Sequence, residues 1–537
     1  MAHHIVFPRG ALPVIVCAVI NVVAASAANA APVAIYGGGD AAAVSALQDL
    51  ANCAGILPTG MNINAACTSP GTVPGFEYLF ATSNYDGDAS NSLLHEAQEG
   101  GSHVTGPTDA ANNFSAFPYP LWDLSVTLTP LDALPPSGIG SYATVSYDKD
   151  NTLNGDGFTD QKNRGFPWQI PFAINAIVLA YNPAQMSFGV TPGTSDGEDH
   201  ALQLTTDAVC YIYTKLDAAG NQVSGSYDWS NAIFTSISKG KKTATVNGGV
   251  QIASPGALPI VAFARAGAPG ETYQITEWLL RHCAGYATAF TSSSTTTGSP
   301  SAAFPSWVAT NFSSGSGTTN ILTNANMMAA IAATPGAIGY VDRSAAEPVV
   351  PASLPTAYIE TGFSKIPAKI QYVAPTNAAL DAAVSTIVPP KSHFHSGGYY
   401  SRPYAWGSAL VGELQGRKGQ KGNGAYPLAG LAYASGYACY DEDSSNNDYR
   451  GVGGLLSFIY SSNTATEADA ILRAHGYEPL DVDPMTGANG FLLPQQALNV
   501  VTTDLHHLIG VTTGEVFTNR KKGPIDCPDY TLDKKAS

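Results

Sequence analysis

The sequence predicts an α/β protein of more than one domain, with ligand-binding loops at the carboxyl edge of parallel strands. Three observations carry this. The chain has 537 residues, too many for one compact core. Strand-like runs pass through glycine turns into helical stretches at two places, around 33–51 and 258–279. Two further runs end in small polar turns, Thr82-Ser83-Asn84 and Gly106-Pro107-Thr108-Asp109. Turns at the carboxyl ends of parallel strands are where α/β proteins bind ligands. Any one of them alone reads better as an ordinary turn, since Gly, Asp and Asn favour turns in every fold.

Composition narrows the function classes. Only 12% of residues are charged and the net charge is -16, which suits a secreted globular protein and argues against nucleic-acid binding. The start reads as an export signal: Arg9 is basic, Ala11 to Ala25 is apolar, and Ala28-Asn29-Ala30 offers a cleavage site. Cleavage after Ala30 moves the net charge to about -17. No later run approaches a spanning length, so the mature chain is expected to be soluble, periplasmic or extracellular, without a membrane span. Cys17 lies inside the signal. Cys53, Cys67, Cys210, Cys283, Cys439 and Cys527 remain, and an even count in an exported chain implies disulfides. The short spacing makes Cys53 with Cys67 the easiest pair to guess; the connectivity is otherwise open.

Along the chain, Val33–Tyr36 is a short strand, Gly37–Gly39 a glycine turn and Ala41–Ala51 a helix. Phe76–Ala81 is a strand. Residues 145–165 hold Asp148, Asp150, Asn154, Asp156 and Asp160, a set like a calcium loop. Thr152 stands at the first ligand position and no Glu closes the set, so a solvated turn is the better reading. Gly165–Asn182 is apolar, with Pro167 and Pro171 against a single helix; it reads as a strand pair or one long strand passing between domains. Residues 202–214 are helix-like. Ile260–Phe263 is a strand ending at Arg265, and a helix follows from about Thr272. Free amides at that helix start and the planar fork of Arg265 suit an oxyanion. Pro269 removes a donor there and Glu271 adds a negative charge.

Thr291–Thr319 is rich in Ser, Thr and Gly and reads as an exposed loop; its Gly315-Ser316-Gly317-Thr318 only resembles a phosphate-cradling turn. Met327–Ala333 is helical and Ala337–Val341 a strand. His393 and His395 read as solvated loop histidines, since a metal site needs three or four converging ligands. Gly416–Gly424 is a basic loop, Tyr426–Cys439 a strand, and helices are expected near Thr466–His475 and Pro494–Leu508. No cofactor motif and no metal cluster is visible.

These blocks, in this order, resemble the phosphate-binding proteins of bacterial phosphate transporters, and are most similar to the secreted DING branch. The matching stretches are Ala34–Gly39, Gly106–Asp109, Phe166–Asn182, Ile260–Leu279, Thr334–Val341 and Tyr426–Cys439. Thr334–Val341 is nearly the family's PGAIGYV run. The resemblance implies a type II periplasmic-binding-protein fold, two α/β lobes around a ligand cleft. Residues 31–172 and 425–537 would form lobe I, 173–424 lobe II, and 1–30 the signal. It also implies Cys210 with Cys283 and Cys439 with Cys527, leaving Cys53 with Cys67.

The implied function is non-catalytic binding of phosphate or another small oxyanion-like solute by a secreted protein. Arg265 and Asp109 match the family's charged ligands, Gly270 its SGT glycine, and Ser83 lies near its second-turn serine, with Thr108 and Glu271 completing the candidate set. Ala41 replaces the first-turn threonine, Pro269 the serine of SGT and Glu271 its threonine. An Arg265–Glu271 pair is therefore expected to fill the vacated place. The other reading is an extracellular structural, adhesive or filament-forming subunit that kept the fold. Implied partners are a small anion such as phosphate, a transporter, or further copies of the chain. No nucleophile, base and orienter stand out for an enzyme.

Overall fold

The structure, a computed structural model, describes residues 32–81, 124–128, 167–187, 202–239, 242–245, 251–252, 258–265, 270–286, 308, 311–314, 317–321, 323–346, 354–361, 371–384, 424–437, 448–460 and 465–480. The chain opens with β1 (Val33–Gly39), α1 (Ala41–Ala54), β2 (Phe76–Ala81), β3 (Leu124–Thr127) and β4 (Pro167–Tyr181). Short elements follow: β5 (Met186–Ser187), β6 (Gln203–Leu204), α2 (Thr206–Thr214), α3 (Ala232–Thr235), β7 (Ser236–Lys239), β8 (Lys242–Thr245) and β9 (Gln251–Ile252). Then come β10 (Val261–Ala262), α4 (Gly270–His282), β11 (Asn311–Ser314), β12 (Gly317–Asn320), α5 (Asn324–Ala333), β13 (Ala337–Asp342) and α6 (Arg343–Ala346). The remainder is β14 (Tyr358–Thr361), β15 (Gln371–Val373), α7 (Asn377–Val384), β16 (Ala429–Tyr437), α8 (Asp448–Tyr460), α9 (Ala465–Ala474) and β17 (Glu478–Pro479).

One sheet organises these pieces, in the order β10-β13-β4-β16-β3-β1-β2, with β17 also on β4. β2, β1 and β3 are mutually parallel, and so are β10 and β13. The two parallel groups are joined by β4 and β16, which pair antiparallel with each other and with β13 and β3. β4 is the apolar stretch around Pro171. Its residues Phe172–Tyr181 are buried, as a strand covered on both faces requires. Its proline is accommodated by a register irregularity at Ala432/Tyr433 of β16, because proline cannot donate to the ladder. The pattern is thus one long strand passing between two parallel groups.

Helices start where the side chains can cap them. Thr205 accepts from the Ala208 amide at 3.0 Å to open α2, and Thr323 accepts from the Asn326 amide at 3.1 Å to open α5. Among the described residues two disulfides lie in or against the core: Cys53 to Cys67, and Cys210 of α2 to Cys283 after α4. Among the described residues no helix is long and apolar enough to cross a membrane.

Several expectations are corrected. Gly37–Gly39 are the end of β1 rather than a turn: Gly37 and Gly38 pair with both β2 and β3, and Gly39 with β3. The tract read as a loop, 291–319, contains the antiparallel pair β11–β12; Thr, Ser and Asn there still make ladder bonds. The helix after Arg265 starts at Gly270, two residues earlier than Thr272. The signal at 1–30, Ser83, Thr108, Asp109, the 145–165 loop, His393, His395, the 494–508 helix, Cys439 and Cys527 lie outside the described residues.

Candidate functional site

β1 and β3 run opposite to β10 and β13, so their carboxyl ends face each other across β4 and β16 and bring Asp40, Leu128, Arg265 and Asp342 together between the two parallel groups. This is where a parallel α/β sheet presents ligand groups. The local sequence explains how close the two groups come. Gly39 has φ +136, and a Cβ there would lie 2.0 Å from the Val126 carbonyl oxygen; only glycine lets β1 and β3 close in this way. The Asp40 amide then donates to that same carbonyl oxygen at 2.9 Å. This fixes Asp40 at the start of α1, aimed at the opposite group.

Across from it, α4 begins. The Gly270 amide, one of the free donors at a helix start, donates to Asp40 Oδ2 at 3.0 Å. Gly270 is required there too: a Cβ would fall 2.3 Å from Asp40 Oδ2 and 2.4 Å from Leu128 Cβ. One turn of helix further on, Gln274 holds the two groups together. Its Nε2 donates to the carbonyls of Leu128 and Leu431, and its Oε1 accepts from Asn175 Nδ2 at 2.9 Å.

Arg265 is 1% exposed. Its Nη1 donates to Glu271 Oε1 at 2.7 Å, and Glu271 is 0% exposed. Asn324 at the start of α5 bridges the pair: its Oδ1 lies 3.4 Å from Arg265 Nη1, and its Nδ2 donates to Glu271 Oε1 at 3.0 Å. The Arg265 amide donates to Tyr340 Oη at 3.0 Å, and Tyr340 Oη lies 2.6 Å from Thr272 Oγ1. Burial pushes the Tyr340 phenol up to about 12, so it stays a neutral hydroxyl.

Behind this pair lies Asp342, fully buried. It accepts from the Ser344 amide at 2.8 Å and from Tyr477 Oη at 3.3 Å. Burial first, and then the charge of Glu271, raise its carboxyl to about 7. The Tyr477 phenol is raised well above its usual value by burial and by the charges of Asp342, Asp40 and Glu271. The cluster therefore sets three buried carboxylates, Asp40, Glu271 and Asp342, against the guanidinium of Arg265. Glu271 Oε2 is buried without a hydrogen-bond partner among the described residues.

Of the sequence candidates, Arg265, Gly270 and Glu271 are brought together, and the expected Arg265–Glu271 pair is present. Ser83, Thr108 and Asp109 are outside the described residues. Sequence reasoning passed over Asp40, Thr272, Gln274, Asn324, Tyr340 and Asp342. Only Asp40 carried a readable signal, being the polar residue that ends a glycine run directly before a helix. Among the described residues the one grouping with metal-ligand spacing is Cys53, Cys67 and Glu467, and its two sulfurs are joined as a disulfide.

Mixed α/β topology, two parallel groups linked by long crossing strands, and polar groups at their facing carboxyl ends define a two-lobed, type II binding-protein fold. Residues 140–401 match the family model described as a PBP superfamily domain. No curated protein matches the chain significantly. Among solved structures, a phosphate-binding protein from Stenotrophomonas maltophilia is similar at 18% identity and TM-score 0.43, over 83% of this chain and 91% of that one. A high-affinity periplasmic phosphate-binding protein, PfluDING, solved with phosphate, is similar at 15% identity and TM-score 0.47, over 86% and 97%. A human phosphate-binding apolipoprotein is similar at 15% identity and TM-score 0.46, over 83% and 91%.

Proposed function

We propose that the protein is an exported, non-catalytic solute-binding protein whose ligand is a small oxyanion of the phosphate type, held weakly between two lobes. Residues 31–172 with 425–537 form lobe I in this reading, and 173–424 lobe II. One observation supports it above the others. A buried arginine and a helix amino terminus, Arg265 and the Gly270 amide, lie where the carboxyl ends of β1 and β3 face those of β10 and β13. Planar guanidinium and helix-start amides are the groups that recognise a tetrahedral anion.

A second reading, an extracellular structural or filament-forming subunit, is favoured by the carboxylates already paired with both groups. A melting-temperature series with millimolar phosphate, arsenate, sulfate and phosphonates separates the two. Oxyanion binding raises the midpoint by mass action, by roughly a degree or two at ten times Kd. No shift with any anion, together with assembly seen by electron microscopy, would replace the first reading with the second.

A further inference from the structure

We propose that Asp40 and Glu271 are the protein's own stand-ins for the bound anion, so that an external oxyanion binds only by displacing them. This rests on the reading of this position as an oxyanion site and adds what limits its affinity. The geometry is specific. Asp40 Oδ2 takes the amide at the α4 amino terminus at 3.0 Å, and Glu271 Oε1 takes Arg265 Nη1 at 2.7 Å. Those are the two strongest anion-seeking groups there, and each already holds a carboxylate oxygen. Both carboxylates are at least nine-tenths buried, where like charges interact far more strongly than in water.

The two arrive from opposite sides. Asp40 follows β1, and Glu271 lies in the first turn of α4 beyond β10, a separation of 230 residues for the Asp40–Gly270 contact. The internal anion therefore also ties the β1 side to the α4 side. In an ordinary solute-binding protein, that tie is the work of the ligand. Here closure needs no solute, and a solute entering this position has to break one ion pair and one helix-terminal hydrogen bond. Asn324, which bonds to both Arg265 and Glu271, holds the pair in place against exchange.

The test is calorimetric titration of inorganic phosphate into the wild-type chain and into Asp40→Asn, Glu271→Gln and the double variant. Asparagine and glutamine keep an acceptor oxygen and the volume of the native side chain, while removing the charge. Asp40→Ser, a short neutral acceptor, is a second route at that position, and melting curves confirm that each variant is folded. Each single variant is expected to bind phosphate at least about tenfold more tightly than wild type, and the double variant about a hundredfold. Equal affinity in wild type and both single variants would overturn the inference while leaving the oxyanion reading standing. A folded double variant that takes up neither phosphate nor arsenate would overturn the oxyanion reading itself.

Discussion

The two strand-to-helix junctions that face each other between the parallel groups begin alike and end differently. β1 runs through glycines into α1, and β10 runs through Arg265 into α4. Both end in a residue that faces the other junction. At the first, the helix-start residue is Asp40, and its carboxylate points outward to the opposite helix. At the second, the helix-start residue is Gly270, and its amide receives that carboxylate. One junction supplies an anion and the other the trap for it. The same local architecture can thus be either half of a binding event. A single side chain decides which, because helix-start amides attract whichever carboxylate or solute oxygen reaches them first.

The largest effect is expected where this asymmetry is most deeply buried. Arg265→Ala leaves Glu271 as a lone charge in the interior and should cost about 3–5 kcal/mol in denaturant unfolding. Replacing both members by apolar residues, Arg265→Met with Glu271→Leu, should recover most of that loss. A double variant as unstable as the single one would show that the pair's partners matter more than its charges.

Gly270→Ala is next. Its methyl group would meet Asp40 Oδ2 and Leu128 Cβ, so the junctions must separate, at about 1–3 kcal/mol. Small-angle scattering should register a more open particle. An unchanged profile with unchanged stability would mean that the approach of the two junctions is incidental.

The pH dependence is smaller and has a definite sign. Asp342 is raised to about 7 in the fold, above the ordinary carboxyl value of about 4. The folded state then holds a proton that the unfolded state releases, so this stabilisation is complete below about pH 4 and is lost as pH rises through about 7. The melting temperature should fall by a few degrees across that window. Asp342→Asn should flatten the slope, and a wild-type curve that rises instead would exclude a protonated Asp342.

The smallest effect concerns Asp40 alone. Asp40→Asn keeps the acceptor and removes only the charge at the α4 terminus, worth about 0.3–1 kcal/mol.

How much of this was legible in the sequence follows the range of the contacts. Strands and helices built on apolar periodicity, such as β2, β4 and α9, could be read directly. The Arg265–Glu271 pair was expected through the family resemblance, which put Glu271 where a hydroxyl ligand belongs beside Arg265. Asp40 could not be assigned its partner, since nothing local links it to Gly270. Gln274, Asn324 and Asp342 are polar residues whose roles exist only once β4, β13 and β16 lie side by side. Gly37–Gly39 misled because glycine signals a turn, whereas here its missing side chain lets three strand ends pack together. β11 and β12 misled because Ser, Thr and Gly composition resembles a loop when no apolar alternation accompanies it.

The central claim is that the chain's own carboxylates hold the place of the anion. Calorimetric titration of phosphate into the wild-type protein at neutral pH tests it most directly. The account predicts no binding heat at micromolar phosphate, with uptake appearing only in the millimolar range. A micromolar dissociation constant in the unmodified chain would contradict it.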